Sequence, residues 1–202
     1  MLSLKTRQLV FLGPSASAAL YLRDALEQVR LSTGEIFDSR YFMYYEDVDL
    51  AFRLRLLGYS SYFTPQAHIY HQHSATAKRH SPFKSFYIHR NHYFNIIKNL
   101  PGHYLLIALF LLPIRYILLM SSLIRGQGAA AQLFHQPKRH LKDRMAMIVL
   151  RSWGQVITSL PWLWRERRWI QGKRVSSTSI VATWFTRFGA NWRKIIYGTT
   201  DT

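Results

Sequence analysis

Three carboxylates fall close together at Glu46, Asp47 and Asp49, directly after the aromatic pair Tyr44-Tyr45. A carboxylate at a helix start meets unpaired backbone N–H groups and the positive end of the helix dipole, which favour its ionised form. An ionised carboxylate on a rigid helix start beside a loop has what a general base requires. Simple capping is the competing reading, with Asp47 as the cap and Asp49 paired to Arg53 one turn later. Further along stand His68, His71 and His73. In extended backbone His71 and His73 share a face, and imidazole is a common metal ligand, so His71 is a candidate for a cation. The alternative is a pair of hydrogen-bonding surface histidines. The third candidate is Arg90-Asn91 in FKSFYIHRNHYFNIIKNLP. A guanidinium can grip a diphosphate through two parallel hydrogen bonds, or it can be one more charge on a basic helix beside Lys84 and Lys98.

No glycine-rich dinucleotide fingerprint, P-loop, nucleophile elbow or H-E-x-x-H is present. The elements that must position the candidates read as follows. LVFLG is a buried strand ended by Gly13-Pro14, and ASAALYLRDALEQVR passes from strand to helix. A helix starts near Glu46, with Leu50, Leu54 and Leu57 on one face and Gly58 as its stop. SSYFTP and AHIYH read as short strands. A helix over residues 81–100 has Pro82 in its first turn and Pro101 beyond its end.

The chain has 202 residues, no Cys and a formal charge of +17. The absence of Cys excludes disulfides and thiolate metal sites. Residues 1–77 are electrically balanced, and residues 78–202 carry the whole excess. Such a surface suits polyanions, either nucleic acid or anionic lipid. Residues 104–124, YLLIALFLLPIRYILLMSSLI, hold one charge, Arg115, and one proline, Pro113, in a mainly apolar run. They read as a membrane-associated segment, spanning or lying in the interface. Residues 137–202 alternate Trp with Arg and Lys, as in WLWRERRWIQGKR, a pattern that suits an anionic membrane surface. No nucleic-acid-binding signature accompanies the charge, and no nucleic acid is expected as partner. The chain divides into 1–100, 101–136 and 137–202.

Taken in order, FLGPSASAALYLRDAL, FDSRYFMYYEDVDLAFRLRLLGY, TPQAHIYHQHSAT, SPFKSFYIHRNHYFNIIKNLP and WRERRWIQGKRVS resemble the C-terminal half of bacterial family 2 glycosyltransferases of the rhamnosyltransferase type. The resemblance covers residues 9–102 and continues loosely to about 180. It implies an α/β fold: part of a GT-A, Rossmann-like domain, followed by an apolar membrane-associated helix and a basic helical tail. It implies an inverting transfer from a nucleotide-diphosphate sugar to a lipid-linked or polysaccharide acceptor at the cytoplasmic face of the inner membrane, assisted by a divalent cation, Mg²⁺ or Mn²⁺. Asp47 matches the base, with Glu46 supporting it or touching the acceptor. His71 matches the metal-completing histidine. Arg90 would contact phosphate, with Asp49 at the same substrate site, and Tyr44 and Tyr45 would offer flat surfaces to sugar rings.

The chain departs from that family in three places. The family's D-x-D-bearing, nucleotide-gripping half is not matched, so the resemblance implies a fragment that transfers no sugar alone. Ala16 stands where Gly is usual, and Leu22 where a basic residue is common. Two other readings remain: a non-catalytic membrane-peripheral module, and a basic nucleic-acid binder.

Overall fold

The computed structural model describes residues 10–15, 18–70, 82–125 and 138–188. Six helices carry the described chain: α1 (Arg23–Gln28), α2 (Glu46–Leu56), α3 (Pro82–Asn99), α4 (Gly102–Arg125), α5 (Lys138–Gly172) and α6 (Thr178–Phe188). A single 3₁₀ turn, Ser39–Tyr41, precedes α2. Two strands, β1 (Val10–Phe11) and β2 (Ser61–Tyr62), pair antiparallel with Val10 opposite Tyr62.

The helix limits follow from local chemistry. Pro82 opens α3, where its missing N–H costs nothing, and Pro101 follows its end. At the end of α2 Gly58 takes φ +90°, its N–H bonds Arg55 O, and Tyr59 N–H bonds Leu54 O. That is a Schellman closure, with Tyr59 packed at the cluster containing Leu54. Gly13 serves close approach instead: a Cβ there would stand 2.1 Å from Ala51 Cβ on α2.

The expected GT-A, Rossmann-like α/β fold is not what the chain forms. The described residues are mostly helical, and their one sheet is the two-residue ribbon β1–β2. The apolar runs read as strands did predict extended backbone, but a strand persists only where neighbours take up its N–H and C=O groups. Among its described residues LVFLG finds such a neighbour at Val10 and Phe11. Residues 19–22 and 67–70 run without regular structure. The apolar segment forms α4, with Leu105 and Leu112 buried and Leu106, Leu109 and Phe110 exposed. Among the described residues no helix is long and apolar enough to cross a membrane.

The basic C-terminal part is built into the body. Helix α5 packs along α3. Leu163 joins Tyr41, Phe94, Ile97 and Leu105 in one apolar cluster. Ile170, with Val181 and Trp184 of α6, joins Leu31 and Leu56 in a second. A third lies between α1 and α2 around Ala25, Val29, Leu50 and Leu54. The block WRERRWIQGK also supplies polar clamps. Arg167 donates to Ile97 O and Leu100 O, both at 2.6 Å, and so caps the end of α3. Buried Glu166 accepts from the backbone N–H and the hydroxyl of Ser32. Trp169 Nε1 and Lys173 Nζ donate to Arg30 O.

Candidate active site

The acids stand at the start of α2, as their spacing implied, but the turn that delivers them is unusual. Phe42, Tyr44 and Tyr45 all have positive φ, at 63°, 62° and 73°. L-residues pay a steric cost there, and three in four positions persist only when their surroundings hold them. Helix α3 does the holding. Asn91 Nδ2 lies 2.9, 2.7 and 2.8 Å from the carbonyl oxygens of Tyr41, Met43 and Tyr44. Two hydrogens serve three acceptors, so one is shared. Arg90 stands behind it. Its Nε donates to Asn91 Oδ1 at 2.9 Å, and its Nη2 donates to Arg40 O and Tyr41 O. The R-N pair read as a phosphate grip thus lies buried, with its donors directed into the backbone ahead of the acids and to Gln155.

Asp49 is likewise turned inward. It is fully buried and receives Arg53 Nε at 2.9 Å, the one-turn pair the sequence suggested. Lys98 Nζ stands 2.9 Å from Asp49 and 2.6 Å from Asp38. Tyr41 Oη and Asn99 Nδ2 also donate to Asp49. Burial raises the Asp49 pKa, but Lys98, Arg53 and these donors outweigh it and hold the pKa down at about 2. Burial pushes Asp38 up, with Lys98 opposing.

Asp47 and Glu46 face a different setting. Both are half-buried. Asp47 is not the cap: that position is Tyr45, whose side chain makes no capping bond, while Asp47 Oδ1 accepts the N–H of Val48 at 2.8 Å within the first turn. On one side is Tyr21, whose hydroxyl pKa is raised by burial and then by the Asp47 charge. On the other is Glu46, raised by burial first, with Asp47 adding to it. The Tyr21 hydroxyl and Glu46 Oε2 are both buried without a hydrogen-bond partner among the described residues. Tyr21 was not singled out in the sequence, although it lies inside the ALYLRDAL block.

A testable consequence follows for Glu46. Its folded pKa lies above the unfolded value, so the folded state favours the protonated acid. Stability from this group therefore rises as pH falls through the folded pKa, and ionisation at neutral pH works against folding. Glu46→Gln is expected to raise the melting temperature at neutral pH and to lose that advantage in acid, as followed by calorimetry.

The aromatic surfaces are distributed unequally. Tyr45 turns inward, with its hydroxyl 3.1 Å from His92 Nδ1. Tyr44 is half-buried and has Lys84 Nζ 5.0 Å above its ring. Phe42, which the sequence reading did not use, is exposed and meets Phe83 and Tyr87 at centroid distances of 6.2 and 5.1 Å. A groove of about 500 Å³ between α3 and α5, lined by Phe83, Phe86, Tyr87, Ile148 and Arg151, adjoins that shelf.

His71, the expected cation ligand, lies outside the described residues. Among the described residues no three His, Asp or Glu side chains come together as a metal site. The two carboxylates at the start of α2 do not by themselves make up such a group. No known family, curated protein or solved structure matches the chain.

Proposed function

We propose that the start of α2 is the acceptor side of an inverting glycosyl transfer from a nucleotide-diphosphate sugar. What carries the reading is one juxtaposition. A carboxylate on a helix start, Asp47, acts electrostatically on two buried polar atoms that have no hydrogen-bond partner among the described residues, Tyr21 Oη and Glu46 Oε2. Buried polar groups left unpaired are costly, and a polyhydroxylated ligand satisfies several at once. In this reading Asp47 takes the proton from one acceptor hydroxyl. The freed oxygen lone pair bonds the anomeric carbon of the donor. The bond from that carbon to the diphosphate oxygen breaks, the electron pair leaves with the diphosphate, and the anomeric configuration inverts. Glu46 Oε2 accepts from a neighbouring sugar hydroxyl, and Tyr21 pairs with a second. Phe42 and Tyr44 supply the apolar floor.

Arg90 and Asn91 act through the turn and not on phosphate. They hold residues 41–44 so that the acids begin the helix at a fixed place.

The test separates binding from chemistry. Saturation-transfer NMR of the full chain with alkyl rhamnosides and glucosides reads the acceptor site. Contact with the sugar ring is expected, and Tyr44→Ala and Tyr21→Phe should weaken it. Asp47→Asn should leave this contact in place. In an assay where a nucleotide-binding half is supplied, it should slow transfer by about 10²–10⁴-fold, the usual worth of a general base. A chain that shows no saturation transfer to any glycoside, or a glycosyl-transfer rate that ignores Asp47→Asn, rules the reading out.

A further inference from the structure

The expectation of a membrane-facing basic tail rested on WRERRWIQGK, yet Glu166, Arg167, Trp169 and Lys173 of that block are engaged with the body of the protein. The outward side of α5 tells a different story. Leu150, Trp153, Ile157, Leu160 and Trp164 recur at steps of three and four, and all five are exposed. Leu150 and Ile157 keep 70% and 62% of their surface. An amphipathic helix in a folded protein turns its apolar stripe to the core, and α5 already has such a stripe in Leu163 and Ile170. A second one on a neighbouring side, bounded by Trp153, whose Nε1 donates to Tyr93 Oη of α3 at 2.9 Å, and by Trp164, is an apolar patch of the kind that marks an interaction surface.

Charge selects the occupant. Arg151, Arg165 and Arg168 are exposed along the same helix. From Met147 to Gly172 the only acid is Glu166, and it is fully buried against Ser32. The exposed side of this stretch is thus apolar and cationic with no anion. At its C-terminal end a surface cleft of about 490 Å³ is walled by Trp164 and Trp169 and bordered by Arg165, Arg168, Pro161 and Ser32. Aliphatic side chains beside Trp, edged by Arg, match a lipid interface: acyl chains below, ring systems at headgroup depth, guanidiniums on phosphate. A second protein chain would need matching acids, and a nucleic acid offers no partner to Leu150 and Ile157.

We infer that the outer face of α5 from Met147 to Arg168 is a seat for an anionic phospholipid bilayer, lying in the interface plane. Leu150, Ile157 and Leu160 enter the acyl boundary. Trp164 sits at headgroup level, and Trp153, tied to Tyr93 of α3, borders the seat. The cleft between Trp164 and Trp169 receives a lipid phosphate on Arg165 and Arg168. The seat is separate from the acids at α2, and Asp47→Asn should leave it unchanged.

Sedimentation of the full chain with phosphatidylglycerol–phosphatidylcholine vesicles, against vesicles of phosphatidylcholine alone, tests this. Partition is expected to require phosphatidylglycerol, and brominated acyl chains should quench tryptophan emission. The pair Leu150→Glu and Ile157→Glu touches no core cluster, so the melting temperature checks that folding is kept, and partition should fall about tenfold or more. Arg165→Gln with Arg168→Gln should remove most of the phosphatidylglycerol preference while quenching persists at high lipid. Unchanged partition in the glutamate pair, or equal partition into both vesicle types, overturns the inference. So does a wild-type chain that ignores vesicles but dimerises through the stripe, or that binds DNA with steep salt dependence instead.

Discussion

Lys98→Met is expected to lower the free energy of unfolding by about 3–5 kcal/mol, the cost of removing one partner from a buried ion pair. A small domain has only about 5–15 kcal/mol in total, so this is a large share. Lys98 Nζ is fully enclosed, 2.6 Å from Asp38 and 2.9 Å from Asp49, and lies 4.8 Å above the Tyr41 ring. Methionine reproduces the aliphatic stem, so lost packing is a small part of the effect. What remains is two buried carboxylates facing each other, with Arg53 the cation beside Asp49. Adding Asp38→Asn to Lys98→Met should therefore recover about half of the loss, because the charge count is restored. Urea denaturation at neutral pH measures both. A single-variant loss under about 1 kcal/mol would show that the network is not what holds α3 against the 3₁₀ turn and α2. The same network predicts acid behaviour. The Asp49 pKa is depressed in the fold to about 2 against 3.8 for the ordinary group. Its contribution is complete above the unfolded value and disappears as pH falls through the folded one. Denaturation midpoints should drop between those two values, and less steeply in Asp49→Asn.

The second large effect belongs to Asn91. Asn91→Asp keeps the volume and the shape but exchanges an amide donor for a carboxylate oxygen, set against the carbonyls of Tyr41, Met43 and Tyr44. Three acceptors lose their donor, and a like partial charge replaces it. A loss of about 3 kcal/mol or more is expected. The turn also stores strain in three left-handed residues, and the clamp is what retains it. The variant should then release residues 41–45 before the rest unfolds. Limited proteolysis would detect cutting near Met43 under conditions where the wild type resists. Glycoside contacts at Tyr44 should vanish at the same time. If the turn keeps its protection, the strain is borne by α2 and the 3₁₀ turn instead.

Some of this was legible in the residues. Pro82, Pro101 and Gly58 act on their own backbones, so the limits of α2 and α3 could be read directly. The pair Asp49–Arg53 depends only on helical spacing, and it too was readable. The roles of Lys98, Arg90 and Arg167 were not. Lys98 and Arg167 read as surface charge and Arg90 as a phosphate grip, because nothing local says which oxygens will face them, and those oxygens lie between 49 and 70 residues away. The strands failed for a related reason. A β-prone run is a statement about side chains, whereas a sheet needs another backbone, and only Ser61–Tyr62 came to meet Val10–Phe11. The placement of Glu46 and Asp47 in the first turn of α2 was readable from their spacing before the apolar face. That of Tyr21 was not, since its place beside Asp47 is set by α1 folding against α2.

The clamps that α5 extends to the earlier chain carry a consequence in time. Ser32 waits for a residue 134 positions later, and the carbonyls at the end of α3 wait for Arg167. During synthesis those groups remain exposed to water until nearly the whole described chain has left the ribosome. Late closure of long-range contacts slows folding and prolongs exposure of apolar surface. The nascent protein therefore ties down Ser32 and the end of α3 among its last events, and a ribosome stalled before α5 emerges holds a chain whose apolar clusters still lack Leu163 and Ile170.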